Sequence, residues 1–134
     1  MSKSAPDSAS RILLTDDASQ IAAKIRVAVT DSISGITYDP VDRAGTANLL
    51  TILGACTNEK PEDVALRYAG KNHGHLKKDL VEAIEETLKG PRAEFERLRK
   101  DEAYLKAIAK DGAEKAGEYS GRTMKRVREA IGLP

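Results

Sequence analysis

Cysteine is almost missing from this sequence. With Cys56 alone among 134 residues, no intrachain disulfide can form and no cysteine-based metal site can close, which suits a reducing compartment. Tryptophan is absent and phenylalanine occurs once. The core must therefore be built from Ala, Leu, Ile and Val, and few rings remain for stacking on nucleobases. No apolar run approaches the ~20 residues of a membrane span. The opening Met1-Ser2-Lys3-Ser4-Ala5-Pro6-Asp7-Ser8 lacks the apolar stretch of a secretory signal. Excess charge is lacking too: 22 Lys and Arg face 21 Asp and Glu, a net charge of +1. A uniform basic field is excluded, so any nucleic-acid contact must be a local patch. Neither His-Glu-x-x-His, a Walker loop, nor Gly-x-Gly-x-x-Gly after a strand occurs. What remains, 40% hydrophobic and 32% charged residues, is globular composition and too apolar for a disordered tail.

The apolar spacing predicts helices. Residues 1–10 carry four Ser and a Pro and read as a loop, and Ile12-Leu13-Leu14 is a candidate extended segment. Asp16 or Asp17 offers an N-cap to a helix over about 17–30, with Ile21, Ile25 and Ala28 inward. Residues 31–43, with Gly35 and Pro40, read as a long loop. The block from Ala47 to Cys56 is apolar nearly all round, as a central helix is, and stops near Thr57-Asn58. Pro61 starts a short helix whose inner face is Val64, Ala65 and Tyr68. Leu76, Leu80, Val81, Ile84 and Leu88 mark another from His75. Gly90-Pro91 is expected to break or kink the chain, Asp101 to cap a helix, and Asp111-Gly112 to interrupt again. The expected fold is all-α, a bundle of about six helices, with 1–16 as loop and linker and 17–134 as a helical domain.

Candidate chemistry is sparse. His73 and His75 are two apart in a Gly-flanked turn with no third ligand nearby, so turn contacts explain them better than a metal, and no metal site is expected. Cys56 in an apolar helix reads as a small core residue, not a nucleophile. Two basic clusters stand out: Lys71, Lys77 and Lys78 around a turn, and Lys115, Arg122 and Arg126, with Lys125 and Arg128, near the C-terminus. Lys115, Arg122 and Arg126 share one helical face and can track a phosphate backbone; an ordinary solvated face with intrahelix ion pairs is the competing reading.

The order of segments resembles one family. Met1-Ser2-Lys3-Ser4 matches most of the Lys-Met-Ser-Lys-Ser signature of class I aminoacyl-tRNA synthetases. Leu14-Thr15-Asp16-Asp17, the stretch Ile21 to Ser32, Tyr38-Asp39-Pro40 and Arg43 to Leu50 resemble the segments C-terminal to that signature in bacterial and mitochondrial tryptophanyl-tRNA synthetases. So do Gly70-Lys71, Lys77 to Leu80, Leu98 to Leu105, Gly112 to Ala116 and the ending Val127 to Leu133. The resemblance covers essentially the whole chain. It implies the signature loop and the helical C-terminal part, which this family uses for anticodon recognition, without the Rossmann half that holds tryptophan and most of the ATP site.

By that resemblance Lys3 contacts ATP phosphates, with Met1, Ser2 and Ser4 completing the loop, once a catalytic domain is supplied. Lys71, Lys77, Lys78, Lys115, Arg122 and Arg126 are the expected tRNA contacts. The family uses ATP and Mg2+, but this chain alone is expected to bind no cofactor and to be inactive. Its expected partners are tRNA-Trp or another RNA, and a synthetase catalytic domain or a full-length synthetase. No membrane partner is expected, and bacterial cytoplasm and mitochondrial matrix both fit.

Two stretches depart from the family pattern. Pro-Gly-Val-Ser-Asn-Leu-Leu becomes Ala44-Gly45-Thr46-Ala47-Asn48-Leu49-Leu50, and Gly-Lys-Gly-Tyr-Gly-x-Phe-Lys becomes Gly70-Lys71-Asn72-His73-Gly74-His75-Leu76-Lys77. Gly117 and Gly121 also stand where helix formers are expected. Such drift motivates the alternative expectation, a truncated non-catalytic paralogue acting as an RNA-binding or protein-interaction subunit.

Overall fold

The computed structural model describes residues 7–133, so the signature-loop residues Met1 to Ser4 lie outside the described residues. Among the described residues there are five α-helices, a 3₁₀ turn at Ser8–Ser10 and no strand. The helices are α1 (Ala18–Val27), α2 (Ala44–Thr57), α3 (Pro61–Leu66), α4 (His73–Lys100) and α5 (Glu102–Ala130). The all-α expectation holds, and Ile12-Leu13-Leu14 forms no strand.

Local chemistry sets most boundaries. Asp17 closes a capping box at α1: its carboxylate accepts from Gln20 N–H at 2.8 Å, and the Gln20 side chain accepts from Asp17 N–H at 2.9 Å. Asp16 instead accepts from Leu13 N–H at 2.7 Å and from Lys24. α2 stops where Asn58 turns left-handed at φ 58°, which lets Glu59 N–H donate to the Gly54 carbonyl at 2.9 Å. Pro61 opens α3, with Glu62 and Asp63 in its first turn. Asp101 caps α5 by accepting from Tyr104 N–H at 2.9 Å.

Two expected breaks do not occur. α4 runs unbroken through Gly90-Pro91, and α5 through Asp111-Gly112, so five helices replace the expected six or so. Next to Pro91, side chains add bonds along and beyond the helix. Arg92 donates twice to Glu85, at 3.0 and 3.2 Å, and its Nε donates to the Leu14 carbonyl at 3.3 Å. In α5 the carboxylate–lysine pairs Asp111–Lys115 and Lys110–Glu114 flank Gly112 at four-residue spacing.

The chain divides into two compact units, Met1–Arg92 and Ala93–Pro134. The first holds the core: Ile21 and Ile25 from α1, Ile36 from the following loop, Leu49, Leu50 and Leu53 from α2, Val64 and Ala65 from α3, Tyr68, and Leu76, Leu80 and Ile84 from α4. In the second, α5 has no buried residue, and Leu105, Ile108, Met124 and Val127 are all at least two-fifths exposed.

Candidate nucleic-acid interface

The loop between α1 and α2 is organised by one buried cation. Arg43, 5% exposed, precedes α2 and forks onto Asp31, with Nε donating at 3.0 Å and one terminal nitrogen at 2.7 Å. The same terminal nitrogen donates to the carbonyls of Ile33 and Gly35, and the other to the Thr37 hydroxyl at 2.8 Å. Five donor contacts thus fold residues 31–37 around a single planar guanidinium, a geometry lysine cannot supply. Asp31 accepts further bonds from the Thr46 hydroxyl at 2.6 Å and from Ile33 N–H at 2.9 Å. The Arg43 fork, then the Thr46 bond, outweigh desolvation and hold the Asp31 carboxyl well below the usual carboxylate range.

The network continues into α4 and fixes a tautomer. Thr46 has one hydroxyl proton, and the carboxylate of Asp31 can only accept, so that proton goes to Asp31. The 3.0 Å contact between Thr46 Oγ1 and His73 Nε2 must then be donated by the imidazole. His73 therefore carries its proton on Nε2, which leaves Nδ1 without a partner among the described residues. His75 is turned the other way, with Nδ1 against the Asn72 side chain at 2.9 Å.

Beside this network lies an open cleft of 750 Å³, lined by the loop 32–35 and by residues 69–73 and 75. Its side chains include Lys71, Asn72, His73, His75, Ser32 and Ser34, with no carboxylate among them. Asp31, the nearest acid in sequence, has both oxygens engaged.

The basic residues marked by sequence fall into both units. In the first, the Lys71 ammonium sits 4.9 Å from the centre of the Tyr68 ring, and exposed Lys78 pairs loosely with Glu82 at 3.9 Å. Lys77 turns inward, donating to the carbonyls of Arg26 at 3.0 Å and Ala28 at 2.8 Å, where it satisfies the C-terminal end of α1. In the second unit, Lys115 pairs with Asp111 at 2.7 Å and the Arg122 guanidinium lies 5.8 Å from the Tyr119 ring. At 100° per residue, Lys115, Arg122 and Arg126 fall within roughly 40° of arc on α5. No group of three or more His, Cys, Asp or Glu able to hold a metal occurs among the described residues. Cys56 is half-buried against the core.

Sequence reasoning did not single out Asp31, Arg43 or Thr46 as a unit. A buried arginine at the border of an apolar helix is the one available signal, since its charge demands a partner that the helix itself does not provide.

The family described as class I tRNA synthetases (W and Y) has a sequence model that matches residues 1–89. The chain belongs to the tryptophanyl-tRNA synthetase family. It is 39% identical over 133 residues to the tryptophan–tRNA ligase of Mycobacterium leprae strain TN, covering 99% of this chain and 39% of that protein. It is 40% identical over 122 residues to tryptophan–tRNA ligase 1 of Streptomyces coelicolor, covering 91% and 36% respectively. The crystal structure of tryptophanyl-tRNA synthetase from Mycoplasma pneumoniae superposes with a TM-score of 0.71 at 25% identity, covering all of this chain and 41% of that one. The chain thus spans about two-fifths of the length of these relatives.

Within the family pattern, two departures turn out to be one physical unit. Thr46 and His73, one from each of the two stretches that depart from the expected pattern, are bonded to each other. The Thr46 hydroxyl gives Asp31 a further donor beside Arg43 and Ile33 N–H, and the His73 imidazole donates to that hydroxyl.

Proposed function

We propose that this chain is the tRNA-contacting and ATP-loop portion of a tryptophan–tRNA ligase and does not charge tRNA by itself. The observation that carries this reading is the full-length likeness to a segment of synthetases about two and a half times longer. Adenylate formation requires that tryptophan and ATP be held together while the carboxylate attacks the α-phosphate and pyrophosphate leaves. The described residues are helices and loops, and their open cleft lies between an α1–α2 loop and the start of α4.

In this reading Lys3 neutralises charge developing on the departing pyrophosphate, with Met1, Ser2 and Ser4 shaping the loop around it. That role requires a catalytic domain, or a full-length synthetase, to position both substrates. ATP and Mg2+ would be held by that assembly. Lys71, Lys78, Lys115, Arg122 and Arg126 face solvent or pair only at the surface, and they supply the RNA contacts. Lys77 contributes by holding α1 against the start of α4. The partner is tRNA-Trp, and its bacterial relatives favour the bacterial cytoplasm. Among the described residues no helix is long and apolar enough to cross a membrane.

The test is tryptophan-dependent ATP–pyrophosphate exchange with the purified chain, beside a filter-binding assay with tRNA-Trp transcript. No exchange together with saturable, salt-sensitive binding is expected. Exchange by the chain alone, or no RNA binding at low salt, overturns the reading.

A further inference from the structure

We propose that the 750 Å³ cleft between the 32–35 loop and residues 69–75, which run from a turn into the start of α4, is a phosphate-binding subsite. Its volume lies within the range of ligand sites. Its lining offers one ammonium from Lys71, two imidazoles from His73 and His75, an amide from Asn72 and hydroxyls from Ser32 and Ser34, and no carboxylate. Such a lining favours an oxyanion over a cation or an apolar group.

The surrounding bonds prepare it for that task. Arg43 and Thr46 occupy both Asp31 oxygens, so the nearest negative charge is tied up by its own partners. Thr46 sets His73 by Nε2, leaving Nδ1 without a partner among the described residues. Asn72 sets His75 by Nδ1, leaving its Nε2 without a partner among the described residues. Both rings are held in place by these bonds, and the donors the cleft offers an oxyanion are the Lys71 ammonium, the Asn72 amide and the Ser32 and Ser34 hydroxyls. Gly70 and Gly35 carry no side chain to fill the space. The charges around the two rings are Asp31 and Arg43 on the α1–α2 loop and Lys71 in the turn. Assigning the phosphate to an RNA backbone rests on the function proposed above, whereas phosphate binding itself does not.

The experiment uses the whole chain and inorganic phosphate, followed by amide chemical shifts at constant ionic strength. Residues 32–35 and 70–75 should shift saturably, and Ser34→Glu, at an exposed loop position, should weaken that response about fivefold or more by placing a carboxylate at the cleft. Lys71→Ala should weaken it by a smaller factor, and unchanged amides for Ile21, Leu50 and Leu76 report an intact core. A second arm measures a single-stranded RNA against wild type and Ser34→Glu. Phosphate shifts with loss of RNA affinity in Ser34→Glu support a backbone phosphate. Phosphate shifts without RNA binding support a free-phosphate site and overturn the RNA reading alone. No saturable shift, or equal shifts in Ser34→Glu, overturns the subsite even where RNA still binds.

Discussion

Arg43 shows how one side chain can replace a length of secondary structure. The loop from Asp31 to Thr37 forms no ladder, yet its carbonyls and side chains converge on one guanidinium. Breaking a buried pair leaves the surviving charge without compensation, so Arg43→Ala should lower stability by roughly 3 kcal/mol in urea unfolding. Arg43→Lys should recover less than half of that, because an ammonium cannot reproduce the fork. Full recovery would mean that charge alone matters here. The same network sets an acid limit. The Asp31 carboxyl is held below its unfolded value of about 3.9. Its contribution is therefore fully present above about pH 4 and is lost as pH falls further. Urea midpoints should drop as pH falls from 4 toward 2, and the drop should be shallower in Arg43→Ala, which lacks the main cause of the shift. Apart from an arginine at the border of an apolar helix, little of this was legible in the sequence. Asp31 and Arg43 are twelve residues apart in a stretch whose only visible message is "loop", and periodicity says nothing about where a loop's polar groups go.

At the scale of elements, the apolar stripes and caps were legible and the helix breakers misled. Leu76, Leu80 and Ile84 are buried as their spacing requires, and Asp17, Asn58, Pro61 and Asp101 mark ends as their chemistry requires. Pro91 and Asp111-Gly112 look like interruptions because each weakens a helix locally. Side-chain pairs nevertheless span both places, the Arg92–Glu85 fork across Pro91 and the ion pairs flanking Gly112. Sequence separation of seven hides the first of these from any count of adjacent pairs. Glycine substitutions should then have opposite signs in different helices. A Cβ at Gly117 or Gly121 meets nothing within 4 Å, so Ala at each should stabilise α5 by up to about 1 kcal/mol and raise helical circular dichroism. At Gly45 a Cβ would lie 2.3 Å from the Val29 carbonyl oxygen, so Gly45→Ala should destabilise by roughly 1–3 kcal/mol, because backbone must move. Equal signs at Gly45 and Gly117 would show that close approach in the α1–α2 region does not limit packing.

For the whole molecule, near-neutrality decides how RNA can be held. With a net charge of +1, long-range attraction to a polyanion is weak, and affinity must come from a few placed cations. Arg122 and Arg126 lie on the same exposed face of α5 as Lys115, whose ammonium is already paired with Asp111. The two arginines are thus the freer charges of that face. Each phosphate neutralised releases a counterion, so the slope of log affinity against log salt counts such contacts. Arg122→Ala/Arg126→Ala should reduce that slope by between about 1 and 2 and weaken tRNA-Trp binding across all sequences tested. Thermal unfolding should stay close to wild type, because neither side chain is buried and alanine is the better helix former. An unchanged slope in the double variant would remove this face of α5 from the interface and leave Lys71 and Lys78 to carry the contact.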